Sequence, residues 1–143
     1  MFLGEYRHSV DAKGRVSLPA RFRTQMEGSL VIAKGFDSEL RVYQSENYGL
    51  FLEQLADMDE FKGRVREVRR WFTANAMVLD LDKSGRINVP APYAEWAGLE
   101  DEAVVIGAAD HVELWGPAKW TAYQENSPDI AELAEEIADL GVI

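Results

Sequence analysis

The 143-residue chain contains no cysteine, which excludes disulfide bonds, thiolate nucleophiles and cysteine-ligated zinc or iron–sulfur sites. Its two histidines, His8 and His111, are too few for a metal centre built from imidazole ligands. No stretch approaches the roughly 18 apolar residues of a membrane-spanning helix. The opening MFLGEYRHSV also lacks the zones of a secretory signal peptide. We therefore expect a cytoplasmic protein without a metal, a cofactor or a membrane partner.

Basic residues are scarce in the last third of the chain. The formal net charge is −10, which argues at first against nucleic acid, because phosphate binding depends on cations. However, residues 1–86 hold 14 Lys and Arg against 13 Asp and Glu, whereas residues 87–143 hold 1 against 12. This asymmetry indicates one neutral-to-basic working face and an acidic region that points elsewhere.

A sequence repeat organises the chain. DAKGRVSLPARFR at 11–23 is repeated as DKSGRINVPAPYA at 82–94, and eight of thirteen positions match, with Asp, Gly and Arg identical. The similarity continues through SLVIAKG and AVVIGAA, and through LRVYQSENYGLF and VELWGPAKWTAY. Both halves are therefore copies of one unit.

Each unit is predicted to form strand, turn, strand, helix, strand, strand and helix. In the first unit we expect strands and helices at 3–9, 15–18, 19–26, 30–34, 39–44 and, with Ser45 as N-cap, up to about 56. In the second we expect them at 75–81, 86–89, 90–97 closed by Gly98, 103–107, 112–115 and from 117 onwards.

These elements predict an α+β fold. The expected segments are a first repeat at 1–58, a linker helix at 59–72, a second repeat at 73–127 and a C-terminal helix at 128–143. Each repeat is too small to be stable alone, so we expect the two to pair about a pseudo-two-fold axis into one barrel-like domain with flanking helices.

The Asp-x-x-Gly-Arg turns are the candidate site. Asp11 can accept backbone N–H bonds across its turn and hold Arg15 in a set direction, while Gly14 supplies a positive φ and Lys13 a second cation. Asp82, Lys83, Gly85 and Arg86 form the second copy. The alternative is a hairpin turn with a surface ion pair and no function beyond structure. Retention of the same residues in both halves weighs against this alternative.

Other chemistries fit less well. Two repeats that each bring an Asp to a turn resemble an aspartic-protease dyad, but the Arg four residues on would keep both carboxylates ionised and prevent proton sharing. No Ser-His-Asp or phosphate-binding P-loop pattern is present. We therefore expect no enzymatic activity.

Two further segments are ambiguous. The basic run at 62–70 (Lys62, Arg66, Arg69 and Arg70) is usually a solvated face, and a contact with the DNA backbone or with a neighbouring subunit is the alternative. The last helix carries apolar residues at helical spacing, Ile130, Leu133, Ile137 and Leu140, for packing on its own domain or on another subunit.

The opening segment, its echo LDLDKSGRINVPAPYAEWAGL and their spacing resemble the MraZ family of bacterial transcription regulators over essentially the whole chain. The resemblance implies an AbrB-like swapped-hairpin fold and a ring of several subunits with the turns along one face. It also implies binding to short G-rich direct repeats in promoter DNA, usually repressing the division and cell-wall gene cluster that includes the regulator's own gene. A nucleoid-associated location follows.

Carried over position by position, the DNA-contacting motif of that family falls on Asp11, Lys13, Gly14, Arg15, Asp82, Gly85 and Arg86, with Lys83 as a shifted basic neighbour. Arginine is the residue most often used to bind guanine in the major groove. A ring that engages several repeats gains affinity without a large basic patch, which resolves the conflict with the charge. The rival hypothesis is a scaffold protein whose turns bind acidic protein segments.

Overall fold

The computed structural model describes residues 1–141. Within them the chain forms eight strands, bounded as follows: β1 Phe2–Ser9, β2 Arg15–Ser17, β3 Leu30–Lys34, β4 Leu40–Gln44, β5 Ala76–Leu79, β6 Arg86–Asn88, β7 Glu102–Ala109 and β8 Val112–Trp115. The same residues form six α-helices: α1 Ala20–Arg23, α2 Ser45–Ala56, α3 Gly63–Ala74, α4 Ala91–Ala97, α5 Pro117–Asn126 and α6 Ile130–Ile137. A 3₁₀ turn at Ala138–Leu140 follows α6. The expected mixed α and β composition is confirmed.

Strands of one repeat pair with strands of the other. The first strand of each repeat pairs with the third strand of the other, as β1 with β7 and β5 with β3. The second strands pair with each other, β2 with β6, and the fourth strands likewise, β4 with β8. All these pairs are antiparallel. If the two repeats are interchanged, the β1–β7 pair becomes the β5–β3 pair, and the β2–β6 and β4–β8 pairs are unchanged. Neither repeat could therefore complete its own sheet alone.

The sheet is open. Six strands lie in the order β1-β7-β8-β4-β3-β5, and β2 and β6 form a separate two-stranded ribbon. Among residues 1–141 no closed barrel is found, so the barrel-like closure expected from the sequence is not observed. The sheet stays open because β1 and β5 are its two edge strands and do not pair with each other.

One main core lies between the sheet, the ribbon and the short helices. It draws equivalent residues from both repeats, for example Val16 and Ile87, and Phe22 and Tyr93, each of them buried. Because both ribbon strands contribute side chains to this core, the turns that precede them are anchored to the most buried part of the molecule.

Several predicted boundaries shift. The helix expected at 19–26 is regular only over Ala20–Arg23, after which Gln25 and Met26 continue in i→i+3 turns up to Gly28, whose φ is +75°. Ser45 is the first helical residue rather than the N-cap, which is Gln44. The linker helix begins at Gly63 instead of 59, so Phe61 lies outside it and is 89% exposed.

The C-terminal segment contributes little to the core. Helix α6 contains no buried residue, and Ile130 is 77% exposed. Residues 142–143 of the expected 128–143 segment lie outside the described residues. Across the part of the chain that is described, none of the helices has both the length and the apolar character needed to cross a bilayer.

Candidate nucleic-acid interface

The first Asp-x-x-Gly-Arg turn is closed by a network centred on one carboxylate. Oδ1 of Asp11 accepts the backbone N–H of Lys13 at 3.0 Å and that of Arg15 at 2.9 Å. Oδ2 accepts Nε of Arg15 at 2.6 Å. The Asp11 N–H donates to the Arg15 carbonyl at 3.1 Å, and the Gly14 N–H donates to the Asp11 carbonyl at 3.0 Å. Asp11 therefore shapes the turn with one oxygen and orients the guanidinium with the other.

The second turn reproduces this network. Oδ1 of Asp82 accepts the N–H groups of Ser84 and Arg86, each at 2.9 Å, and Oδ2 accepts Nε of Arg86 at 2.9 Å. The backbone bonds between Asp82 and Arg86 and from Gly85 to Asp82 are also present, at 2.9 and 3.0 Å. Equivalent atoms make equivalent bonds in both turns, so the repeated sequence encodes a repeated geometry.

Glycine is required at both turns. Gly14 and Gly85 adopt φ values of +80° and +73°, where other L-residues are strained. A Cβ at Gly14 would also lie 2.9 Å from the Val89 carbonyl oxygen. The Val89 N–H donates in turn to the Gly14 carbonyl at 2.9 Å, so this glycine is one of the points at which the first turn contacts the second repeat.

The β2–β6 ribbon brings the turns together. In its antiparallel register Arg15 lies opposite Asn88, and Arg86 lies opposite Ser17. Nη1 of Arg86 consequently lies 3.9 Å from Oδ2 of Asp11 in the other turn. The two arginines thus belong to one surface and not to two separate sites.

All eight residues predicted as the site are brought to this surface. The side chains of Asp11 and Arg15 are 35% and 32% exposed, and those of Asp82 and Arg86 are 36% and 30% exposed. The remaining members are the exposed Lys13 and Lys83 and the half-buried Gly14 and Gly85. The aspartates and arginines are accessible yet held in place, which suits recognition of a ligand from solvent.

Hydrogen bonding fixes the charge of both turns. The backbone N–H of Arg15, together with its guanidinium and the N–H of Lys13, holds the pKa of Asp11 below its usual range. The backbone N–H of Arg86, with the N–H of Ser84 and the Arg86 side chain, does the same for Asp82. Both carboxylates are therefore ionised at neutral pH, in contrast to the shared proton of a protease dyad.

A groove flanks each turn. The first groove lies between the first turn and α4, and the second groove lies between the second turn and α1. Arg23 lies at the second groove, where its Nη1 donates to the Ser84 carbonyl at 3.3 Å. Comparison of the repeats did not single out Arg23, because its counterpart is Ala94 and only shared residues stand out in such a comparison.

The basic run at 62–70 is partly structural. Arg69 donates from Nε to the Leu55 carbonyl at 2.7 Å and from Nη2 to those of Ala56 and Met58 at 2.8 and 2.7 Å. Leu55 and Ala56 are the last residues of α2, where helix carbonyls have no partner within the helix, and Met58 follows just after it. Arg69 therefore joins α2 to α3.

No group of three or more His, Asp or Glu side chains in residues 1–141 has an arrangement that could hold a metal ion. The chemistry that the turns offer is instead charge-assisted hydrogen bonding. Within the same residues, neither terminal nitrogen of Arg15 or Arg86 donates a hydrogen bond, since each Asp engages Nε. These nitrogens are available to an acceptor outside the chain.

Comparison with known proteins agrees with this repeat organisation. A family model described as "MraZ protein, putative antitoxin-like" matches the chain twice, at residues 1–71 and 72–140. Proteins named transcriptional regulator MraZ from Syntrophomonas wolfei and Alkaliphilus oremlandii are each 38% identical over 143 residues, covering 99% of this chain and all of the relative. One from Heliobacterium modesticaldum is 39% identical over 140 residues, covering 97% of this chain and 98% of the relative. The chain belongs to the MraZ family.

Proposed function

We propose that the protein is a sequence-specific DNA-binding transcriptional regulator. In this proposal it represses the division and cell-wall gene cluster that includes its own gene, by binding short G-rich direct repeats in promoter DNA. The names of its relatives support transcriptional regulation. The site lies in the two turns, and the protein acts in the cytoplasm at the nucleoid.

The observation that carries this proposal is the matched pair of arginines on one ribbon. Guanine presents O6 and N7 as two acceptors in the major groove, and arginine binds both with two nitrogens. Arg15 and Arg86 are held through Nε at 2.6 and 2.9 Å from their aspartates, so the terminal nitrogens remain for the base. Because each guanidinium is oriented before binding, less entropy is lost on contact.

A two-stranded ribbon is an element that fits the major groove, which is about 12 Å wide. The cross-repeat strand pairing supports an AbrB-like swapped-hairpin arrangement in which the ribbon is the DNA-binding element. Lys13 and Lys83, exposed on the loops, supply contacts to the sugar–phosphate backbone that set the register.

Ring assembly reconciles DNA binding with a net charge of −10. One ribbon makes few contacts and binds weakly, whereas a ring presents several ribbons to tandem repeats at once. Linking the sites raises their effective concentration and multiplies the affinity without new contacts. Of the acidic residues in the last third, Glu95 and Glu100 lie beside the first turn, in the groove that it forms with α4.

Binding to two duplexes tests the proposal. One duplex carries tandem G-rich repeats, and the other has the same composition in shuffled order. We expect tighter binding to the repeats and a steep loss of affinity with salt, read by fluorescence anisotropy. Equal affinity for both duplexes would favour the rival scaffold hypothesis, in which the turns bind acidic protein segments.

Substitution of the arginines locates the site. Arg15→Ala is expected to abolish the preference for G-rich repeats while the assembly, measured by light scattering, stays intact. Arg86→Ala measures how much the second turn contributes to the same preference. Arg64→Ala is the matched control, since Arg64 is an exposed arginine on α3. An Arg15→Ala protein that unfolds or dissociates would assign a structural role to Arg15 instead.

A further inference from the structure

The two grooves occupy equivalent places in the two repeats. The second groove is lined by Ala20, Arg23 and Thr24 of the α1 segment together with loop 82–85. The first groove is lined by Ala91, Ala94 and Glu95 of α4 together with loop 11–14 and further residues, including Glu100. Each lining residue of the second groove therefore has its repeat counterpart in the first. The two grooves can be compared residue by residue within one chain.

Their charges differ. Arg23 and Lys83 of the second groove correspond to Ala94 and Ala12 in the first. Thr24 corresponds to Glu95. The aspartate of each loop is already paired with its own arginine, so the second groove retains two cations. The first groove retains Lys13 beside the carboxylates of Glu95 and Glu100.

Arg23 is positioned over the second turn. Besides its bond to the Ser84 carbonyl, its Cδ occupies the space next to Gly85, where an added Cβ would lie only 2.3 Å away. His8 lies near the same group: burial lowers the pKa of His8, and the positive charge of Arg23 lowers it further. Gly85, which has no Cβ, thus leaves room for the Arg23 side chain to lie against the loop.

We propose that the second groove is a binding site for a DNA backbone phosphate, formed by Arg23 and Lys83, and that the first groove is not. This inference rests on the proposed DNA-binding function. Arginine has five N–H donors, of which the Ser84 carbonyl takes one, so a phosphate can be bound by others. The carboxylates of the first groove repel the same ligand. The second repeat therefore binds the base and, through its groove, a phosphate, whereas the first repeat contacts the backbone only through Lys13 on its loop.

Arg23→Gln and Arg21→Gln form the test pair. Both arginines are exposed and lie in the last turn of α1, so the variants carry the same net charge. Arg21 does not line the groove. We expect Arg23→Gln to weaken binding about tenfold, equally on G-rich and shuffled duplexes, because one charge-assisted contact is lost. The negative slope of log K against log salt should become shallower by about 0.9 per engaged subunit. Arg21→Gln should leave that slope unchanged.

Lys83→Gln provides a second test within the same groove and should also lower the salt slope. Lys13→Gln removes the lysine of the first groove and should lower the slope less, because Glu95 and Glu100 already oppose phosphate there. The pKa of His8, followed by NMR, should rise in Arg23→Gln and stay constant in Arg21→Gln, because the charge of Arg23 adds to burial in lowering it.

The possible results separate this inference from the proposed function. A wild-type protein that does not prefer G-rich repeats overturns the proposed function and this inference with it. A wild type that prefers them, with equal effects of Arg23→Gln and Arg21→Gln, overturns only the phosphate site. Loss of base preference in Arg23→Gln without a change in salt slope would make Arg23 a base-contacting residue and would also overturn it.

Discussion

Nη1 of Arg86 lies 3.9 Å from Oδ2 of Asp11, the oxygen that already accepts Nε of Arg15 at 2.6 Å. One carboxylate of the first turn is therefore shared by the arginines of both turns. Oδ2 of Asp82 pairs with Arg86 at 2.9 Å. The two aspartates, equivalent in sequence, consequently differ in how many guanidinium groups they orient.

This difference predicts unequal effects of Asp11→Asn and Asp82→Asn on DNA binding. Either amide keeps an Oδ1 acceptor for the backbone of its turn but loses the charge that pairs with arginine. Solvent-exposed ion pairs each contribute little, so Asp82→Asn should weaken binding by about fivefold or less and Asp11→Asn by more. Titration of the G-rich duplex measures both, and a larger effect of Asp82→Asn would contradict the shared contact.

Gly14→Ala and Gly85→Ala should separate stability from binding. Both place an L-residue at positive φ, at a cost of roughly 1–2 kcal/mol. In Gly14→Ala the new methyl group also meets the Val89 carbonyl, which cannot move easily, whereas in Gly85→Ala it meets the flexible side chain of Arg23. We expect the lower melting temperature in Gly14→Ala, with roughly 2–4 °C lost per kcal/mol.

Gly85→Ala should also change how DNA binding depends on salt. Displacement of Arg23 from the second groove should lower the salt dependence of binding to the level of Arg23→Gln. The double variant should then be no weaker than either single variant. Additive losses of affinity would show that Gly85 and Arg23 act independently.

Arg69→Ala is expected to destabilise the fold without affecting DNA binding. The side chain is 22% exposed and donates to carbonyls at the end of α2, and loss of such charge-assisted bonds costs roughly 2 kcal/mol. Urea denaturation measures this cost, with the exposed Arg70→Ala as control, which should change stability by about 0.5 kcal/mol or less. A reduced salt slope in Arg70→Ala would instead assign the basic face of α3 to the DNA backbone.

The turns should tolerate mild acid. Because the folded state lowers the pKa of Asp11 and Asp82, their ionised forms stabilise the turns at every pH above the unfolded value of 3.8. This contribution is lost only as the pH falls through the lower folded values. Carboxyl-carbon NMR should give midpoints below 3.8 for both residues in the native protein, and ordinary midpoints for the same residues in urea. Native midpoints at or above 3.8 would contradict the hydrogen-bond network.

The turns could be predicted from the sequence because their conformation is determined locally. An aspartate four residues before an arginine, with glycine immediately before the arginine, specifies both the backbone bonds and the ion pair. The closure of α4 by Gly98 at φ +72° was predictable for the same reason. Such features depend on contacts within a few residues.

The strand partners could not be predicted in this way. The pattern at 3–18 is typical of a hairpin, yet β1 pairs along its whole length with β7 of the other repeat, and an isolated bridge between Val10 and Val16 joins the segment after it to β2. Either pairing buries the same alternating face, so the choice depends on the whole chain. Arg69 was likewise predicted only as part of a charged run, because its carbonyl acceptors carry no sequence signal.

The absence of an arginine from α4 at Ala94 gives the proposed DNA-binding surface a direction. A protein with identical halves could sit on a duplex in either orientation, and such proteins suit palindromic operators. Here the groove beside the second turn carries Arg23 and Lys83, whereas the groove beside the first carries Lys13 together with Glu95 and Glu100. Rotation by half a turn therefore produces a different fit. Operator elements that all run the same way along the promoter are the arrangement that such a polar surface can distinguish.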